Sequence, residues 1–183
     1  ISVRRVNPRD AYRTNTESVL TTEAVSVGSR QVLLRLGFHD RFRRDPVGVL
    51  RDLHERTLAE MIPDQLFALA EYSELHAERS GDAPYHVAAA LYAFAFLFPG
   101  DGTNPPDPLD PRTRTAASLY NRALSNALTG RGKVASFGPL ALPPHIGRIE
   151  TSFDEERLRW AGRRLVELVP ATNLETRGLR NRY

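Results

Sequence analysis

Three glutamates at helical spacing are the side chains of this sequence best suited to chemistry. Glu71, Glu74 and Glu78 fall on one face of a predicted helix. A carboxylate in a cleft beside Tyr92 or His76 could act as a general acid or base. Glutamates at this spacing more commonly form a solvated helix face. We therefore take Glu71, His76 and Tyr92 as a candidate polar cluster and expect the three glutamates to face water.

Other catalytic patterns each fail at a particular residue. Residues 76–78 match the H-x-E half of a deaminase signature, but that zinc site needs cysteines and the sequence has none. Residues 130–133 resemble the end of a phosphate-binding loop, yet Val134 replaces the hydroxyl that binds magnesium. Ser136 lacks the first glycine of the G-x-S-x-G nucleophile elbow. These segments are more simply explained as helix surface and turns.

The sequence offers no recognisable metal site. The histidines lie on separate predicted elements, without an H-E-x-x-H motif, at positions His39, His54, His76, His86 and His145. The absence of cysteine excludes disulfides, thiolate nucleophiles and zinc sites that depend on cysteine. We therefore predict no catalytic residue, no metal ligand and no cofactor within these 183 residues.

Composition and charge indicate an ordinary globular chain. The hydrophobic fraction of 41% and the charged fraction of 26% are typical of folded domains. The net charge is +3, although residues 157–183 hold seven arginines against two glutamates. A nucleic-acid binder would usually interleave such arginines with several aromatic residues or place them in a recognised motif, so we expect a solvated or domain-docking surface and no nucleic-acid binding. The apolar run at 87–99 is too short to span a bilayer, and we predict no membrane-spanning segment.

Helical periodicity and capping signals predict a mainly α fold. The predicted helices are 8–20, 26–36, 46–61, 64–79, 84–98 and 111–128. The segment 84–98 is apolar almost all round, which is typical of a helix surrounded by others, so we expect it to be central. With 64–79 it should form an antiparallel hairpin, tetratricopeptide-like in plan, although no second copy follows at a fixed period. A proline-rich loop at 99–111 follows this hairpin.

The pattern changes after the last predicted helix. Short segments with partial alternation predict a small β element, with strands near 134–137, 140–142, 148–153, 164–169 and 174–183, and a turn of helix at 154–161. We therefore divide the chain into a helical domain at 1–130 and a small β-containing segment at 131–183. We expect that segment to lead into a further C-terminal domain.

Three stretches of the chain resemble a known family. Residues 66–100 read LFALAEYSELHAERSGDAPYHVAAALYAFAFLFPG, residues 110–124 read DPRTRTAASLYNRAL, and residues 174–183 read LETRGLRNRY. Together they resemble the N-terminal region of bacterial α/β-hydrolases, many of them predicted lipoproteins. In that family a helical segment and short strands precede the hydrolase core, which holds the serine, acid and histidine. The resemblance implies a non-catalytic accessory domain in the cell envelope, with its own C-terminal hydrolase domain as partner.

The last residues are candidates for contact with that hydrolase domain. Bidentate arginine contacts and one aromatic anchor could come from Arg177, Arg180, Asn181, Arg182 and Tyr183. The plain alternative is that they are linker residues. Two other functions remain open from the sequence. One is a helical-repeat-like protein-interaction module, and the other is an enzyme that uses Glu71 or His76.

Overall fold

The structure, a computed structural model, describes residues 7–11, 17–22, 24–100, 104–129 and 140–148, with 154, 157, 159, 161–164 and 167. Within this part the fold is helical and contains no strand. The helices are α1 (Val19–Thr22), α2 (Val27–Arg35), α3 (His39–Phe42), α4 (Pro46–Glu60), α5 (Pro63–Ser80), α6 (Pro84–Leu97) and α7 (Pro111–Thr129). Residues 8–11 form a further helical turn. The predicted mainly α fold is therefore confirmed.

Local capping signals set most helix boundaries. Helices α4, α5 and α6 each begin with proline, whose missing N–H is harmless in the first turn. The Asp45 carboxylate accepts a hydrogen bond of 2.9 Å from the Gly48 N–H and so caps α4. Gly81 ends α5 in the left-handed region at φ 74°, where glycine is not strained. The sequence predicted five of the six helices from α2 to α7, all except the short α3. Each of these five is confirmed to within one residue at both ends.

The first predicted helix is wrong in its extent. Residues 8–11 are helical, but residues 17 and 18 are not, and α1 begins only at Val19. The Ser18 carbonyl accepts hydrogen bonds from the Thr21 and Thr22 amides at 3.0 and 3.1 Å. A new helical turn therefore starts at Ser18, because polar side chains of this kind cap a turn more readily than they continue a helix.

Helix α5 is the centre of the bundle, which corrects the prediction that 84–98 is central. It packs against α1, α2, α4, α6 and α7, whereas α6 packs mainly between α5 and α7. Twelve residues of α5 are buried. Helix α6 instead leaves Phe94 47% exposed, and Phe98 just beyond its end is 61% exposed. The high apolar content of 84–98 therefore predicted the wrong central helix. Helix α5 is central although it is more polar, because its buried polar residues have hydrogen-bond partners within the bundle.

Small residues let α6 and α7 approach each other closely. Ala89, Ala90 and Ala123 form a compact cluster in which all three are buried, with Tyr120 and Leu124 packed against it. The rest of the apolar face of α7, including the fully buried Leu119, joins the main core around α5. Burial of such side chains stabilises the fold by about 1.5–3 kcal/mol for each large residue.

An arginine fastens the proline-rich loop to the start of α7. Arg112 donates to Asp110 at 2.7 Å through Nη2 and to Asp64 of α5 at 2.6 Å through Nη1. Its guanidinium also lies 5.6 Å from the centre of the Phe96 ring. These bonds raise the pKa of Arg112, and the side chain therefore links the loop, α5 and α6 as a permanent cation.

Residues 140–148 are irregular chain with one turn, so the predicted strand at 140–142 is wrong. The Ile146 N–H donates to the Pro143 carbonyl at 3.0 Å. The Pro143 side chain is fully buried, and Ile146 packs against the main core. This segment therefore belongs to the packed bundle. The strands predicted near 134–137, 148–153, 164–169 and 174–183, and the helical turn at 154–161, lie mainly outside the described residues.

Candidate functional site

Glu71 lies inside the bundle, which overturns the expectation that it faces water. Its side chain is 0% exposed. One carboxylate oxygen accepts hydrogen bonds from the Ser26 hydroxyl at 2.6 Å and the Ser26 N–H at 3.0 Å. The other lies 3.4 Å from the Val19 N–H. Glu71 therefore binds the first backbone amides of α1 and of the turn that opens α2, where a negative charge is favoured.

Burial raises the pKa of Glu71, and its hydrogen bonds with Ser26, Ser29 and Val19 oppose that rise. The raised pKa means that the charged carboxylate loses more stabilisation from its lost hydration than it gains from these hydrogen bonds. A carboxyl with a raised pKa is a familiar general acid. This one has no exposed surface from which to reach a substrate, and its bonds all go to the protein's own helix ends. Its geometry suits a structural acceptor.

A second buried carboxylate joins three helices. Glu74 is 1% exposed, and one of its oxygens lies 2.8 Å from Nδ1 of His86 on α6. Its other oxygen accepts a bond of 3.2 Å from the Asn126 amide on α7. Glu78, one turn further along α5, is exposed and pairs with Arg122 at 3.0 Å. Only Glu78 of the three glutamates faces water as predicted, because α5 buries the other two against α1, α2, α6 and α7.

His76 and Tyr92 belong to a different group of side chains, on the side of α5 that faces α4 and α6. The Tyr92 hydroxyl lies 2.9 Å from Nδ1 of His54 on α4. The His54 ring makes edge contact with His145 at 5.6 Å between ring centres. Tyr85 lies 6.1 Å from His145 and makes an edge contact of 4.5 Å with His76. We name these five residues, His54, His76, Tyr85, Tyr92 and His145, the histidine–tyrosine cluster.

Burial favours the neutral form of every member of the histidine–tyrosine cluster. It lowers the pKa of the three histidines and raises the pKa of both tyrosines. For His145 the nearby His54 and Arg51 lower the pKa further, while Glu55 opposes them. A neutral imidazole can donate one hydrogen bond through its N–H and accept one at its other ring nitrogen, and a buried phenol needs a hydrogen-bond partner. The cluster is therefore a polar seam between helices that depends on uncharged rings.

Sequence reasoning missed this cluster because its members share no fixed spacing. His54 and Tyr92 are separated by 38 positions, and His145 is further still along the chain. The only local signals were tyrosines in an apolar helix, which need buried partners. Glu71 faces α1 and α2, whereas His76 and Tyr92 lie in the cluster. The predicted grouping of Glu71 with His76 and Tyr92 therefore consists of residues from two separate networks.

The described residues also contain an apolar pocket of about 270 Å³. It lies where α4 ends and the proline-rich loop passes the end of α6. Its walls include Met61, Leu66, Ala95, Phe96 and Pro106, and Asn104 adds a polar group. Of the predicted site residues that the structure describes, namely Glu71, His76 and Tyr92, none lines this pocket. Its apolar walls and single side-chain amide suit packing contacts better than bond-breaking chemistry.

Metal-binding geometry is not found in the part of the chain that the structure describes. No group of three or more histidine, aspartate or glutamate side chains there has a suitable arrangement. The candidate docking residues Arg177, Arg180, Asn181, Arg182 and Tyr183 lie outside the described residues, and their role stays a prediction. Among the described helices, none is both long enough and apolar enough to cross a membrane.

Comparisons with protein-family models, with curated proteins and with solved structures each found no match for this chain.

Proposed function

We propose that this chain is a non-catalytic N-terminal helical domain of a bacterial serine α/β-hydrolase of the esterase or lipase type. In this proposal it packs on the catalytic domain and shapes or covers its substrate opening. The proposal rests on the resemblance of residues 66–100, 110–124 and 174–183 to that family. The cell-envelope location implied by the resemblance belongs to the same proposal.

The hydrogen bonds of the two buried glutamates give the best support for a non-catalytic role. Glu71 and Glu74 are two of the three glutamates that the sequence offered as a general acid or base, yet they are 0% and 1% exposed. Their oxygens bind Ser26, Val19, His86 and Asn126. Groups that hold four helices against α5 cannot also rearrange around a substrate without loosening the fold. We infer that the bundle contributes shape and contact surface.

The C-terminal residues complete the proposal. Arg177, Arg180 and Arg182 would form bidentate contacts with carboxylates of the catalytic domain, and Tyr183 would provide the aromatic anchor. The small β element within 131–183 would connect the two domains. The tetratricopeptide-like arrangement of the α5–α6 hairpin is also part of this proposal. In the structure other helices pack against this hairpin.

A protein-interaction module is the second candidate. The observation in its favour is an exposed aromatic pair at the end of α6, since the Phe94 and Phe98 rings lie 4.9 Å apart and both are about half exposed. Such rings are common anchors at interfaces. A repeat-like module would bind its partner in a groove between α5 and α6. That site is unfavourable here, because α5 is covered by α2, α4, α6 and α7.

The coding sequence beyond Tyr183 provides the first test. We expect it to continue into a strand-rich region that contains G-x-S-x-G before a helix. The protein encoded by the longer reading frame should react with a fluorophosphonate probe at that serine and hydrolyse a p-nitrophenyl ester. The chain 1–183 should do neither. Serine replacement by alanine in the longer protein is the matched control.

Two results would contradict the proposal. One is a stop codon directly after Tyr183. The other is ester hydrolysis by the purified chain 1–183 that is lost in Glu71→Gln or His76→Gln, which would support the enzyme hypothesis.

A further inference from the structure

Two histidine rings meet where residues 140–148 pack on the helical bundle. The His54 side chain of α4 is buried, with 8% of the residue exposed, and its Nδ1 is bonded to Tyr92. The His145 ring makes edge contact with it at 5.6 Å and is itself only partly buried. Solvent protons can therefore reach His145 while the segment is still docked.

Side chains at positions 143, 145 and 146 of this segment pack on the bundle. The Pro143 side chain is fully buried, Ile146 packs on the core, and His145 also touches Tyr85 at 6.1 Å. The turn is closed by the bond from the Ile146 N–H to the Pro143 carbonyl. Because the two histidine rings meet within this contact, a positive charge on both rings would oppose docking.

The charged neighbours offset only part of the charge that protonation would add to the two rings. Glu55 favours the charged form of His54, but burial outweighs it. Glu55 and Arg51 of α4 flank the pair, and they act on His145 in opposite directions. From α6 the rings are faced by Tyr85 and Tyr92, and beyond Tyr85 lie His76 of α5 and Asp82. Among these described groups, none of the carboxylates is hydrogen bonded to His54 or His145. Two imidazolium ions at this distance would repel each other in a partly dry site.

We propose that the His54–His145 contact is a pH-sensitive clasp, which holds residues 140–148 on the bundle while both rings are neutral and releases them on protonation. In the sequence this segment lies between α7 and the C-terminal residues, and release separates residues 140–148 from α4 and α6. The inference rests on the packing of the described residues and is independent of the proposed hydrolase role.

The direction of the pH effect follows from proton linkage. Burial lowers the pKa of both histidines below the ordinary value of 6.5. Below that value the released segment binds more protons than the docked one, so docking weakens as the pH falls and strengthens as it rises. Each histidine can change the opening equilibrium by up to about tenfold per pH unit in this window.

Amide hydrogen exchange of the full 183-residue chain tests the clasp. Protection of the Ile146 N–H should fall at least about tenfold from near pH 7.5 to near pH 5, after correction for the intrinsic rate. Amides in the middle of α5 should keep their protection over the same range. His145→Phe keeps an aromatic ring but removes one of the two titrating groups, so its loss of protection should be at least about threefold smaller than that of the wild type. His39→Phe on α3 is the matched control and should behave as the wild type.

The following results would contradict the proposed clasp. The clasp is wrong if wild-type Ile146 keeps its protection near pH 5, or if His145→Phe loses as much protection as the wild type. If the His145→Phe substitution prevents docking at every pH, NMR titration of the wild-type ring signals decides the matter. Both pKa values must lie below 6.5, and a value at or above it for either ring would exclude the clasp.

Discussion

The Ser26 hydroxyl donates a hydrogen bond of 2.6 Å to the Glu71 carboxylate, although 45 positions separate the two residues in the chain. The same oxygen accepts the Ser26 N–H at 3.0 Å. Ser26 also caps α2 by accepting a bond from the Ser29 N–H at 3.3 Å. The start of α2 is therefore fixed to the middle of α5 by one side chain, and the stability of this junction should depend on Glu71.

Replacement of Glu71 should separate the need for an acceptor from the need for a charge. Glu71→Ala leaves the Ser26 and Val19 amides buried without a partner, and we expect it to lower the free energy of unfolding by about 2–4 kcal/mol. Glu71→Gln keeps an acceptor oxygen and removes a charge that burial disfavours, so its cost should be below about 1.5 kcal/mol. Urea denaturation at neutral pH measures both. Glu60→Gln on the exposed end of α4 is the control, and equal costs for the two Glu71 variants would contradict this interpretation.

The raised pKa of Glu71 also predicts a pH dependence. Above the ordinary value of 4.5 the folded protein holds a proton at this site more readily than the unfolded chain. Its stability contribution should therefore decrease as the pH rises through this window and recover as the pH falls. Relative to Glu71→Gln, the wild type should gain stability from about pH 8 to about pH 5. Urea titrations of both proteins across this range provide the check, and a constant difference would show that the pKa is not raised.

Two glutamates one turn apart on α5 should differ sharply in their contribution to stability. Glu74→Ala leaves His86 and Asn126 without their buried acceptor, which should cost about 2–4 kcal/mol. Glu78→Ala removes an exposed pair with Arg122 and should cost less than about 1 kcal/mol. Thermal or urea unfolding of the two variants makes a matched comparison, because both sit on the same helix. Similar losses would mean that the burial of Glu74 has no energetic role.

The bond between Tyr92 and His54 should stabilise the contact of α4 with α6. Tyr92→Phe removes the hydroxyl and leaves Nδ1 of His54 buried without its partner, for an expected cost of about 1–2 kcal/mol. Tyr120→Phe on α7, where the ring is only partly buried, is a comparable change outside this bond and should cost less. Chemical denaturation at pH 7.5, where the histidines are neutral, isolates the hydrogen bond. A neutral or stabilising effect of Tyr92→Phe would contradict the assignment.

Arg112 should hold the proline-rich loop through its fork geometry as well as its charge. Lysine keeps the charge but cannot bind Asp110 through two nitrogens while also reaching Asp64, so Arg112→Lys should lower the unfolding free energy by about 1 kcal/mol. Proteolysis within 104–110 should accelerate in that variant before global unfolding begins. Arg114→Lys, an exposed neighbour on α7, is the control. Unchanged proteolysis would show that the loop is held by packing alone.

Helix positions were largely readable from the sequence because their signals are local. Proline at the first turn of α4, α5 and α6, the Asp45 cap, and Gly81 at the end of α5 act within a few residues of the boundary. The extent of the first helix was misjudged where polar residues at 18–22 could start a new turn. The strand predicted at 140–142 failed for a related reason, since short apolar alternation also suits a segment packed on helices.

The sequence by itself determined the helical class, the boundaries of the main helices and the absence of cysteine chemistry. Only the tertiary structure decided that Glu71 and Glu74 lie inside, that α5 is central, and that three histidines gather around Tyr85 and Tyr92. A polar side chain can be expected to be exposed only when the interior offers it no hydrogen-bond partner. Such partners come from helices that are distant in the chain. Burial of a charged or polar side chain is therefore a property of the whole packing arrangement, which no local pattern encodes.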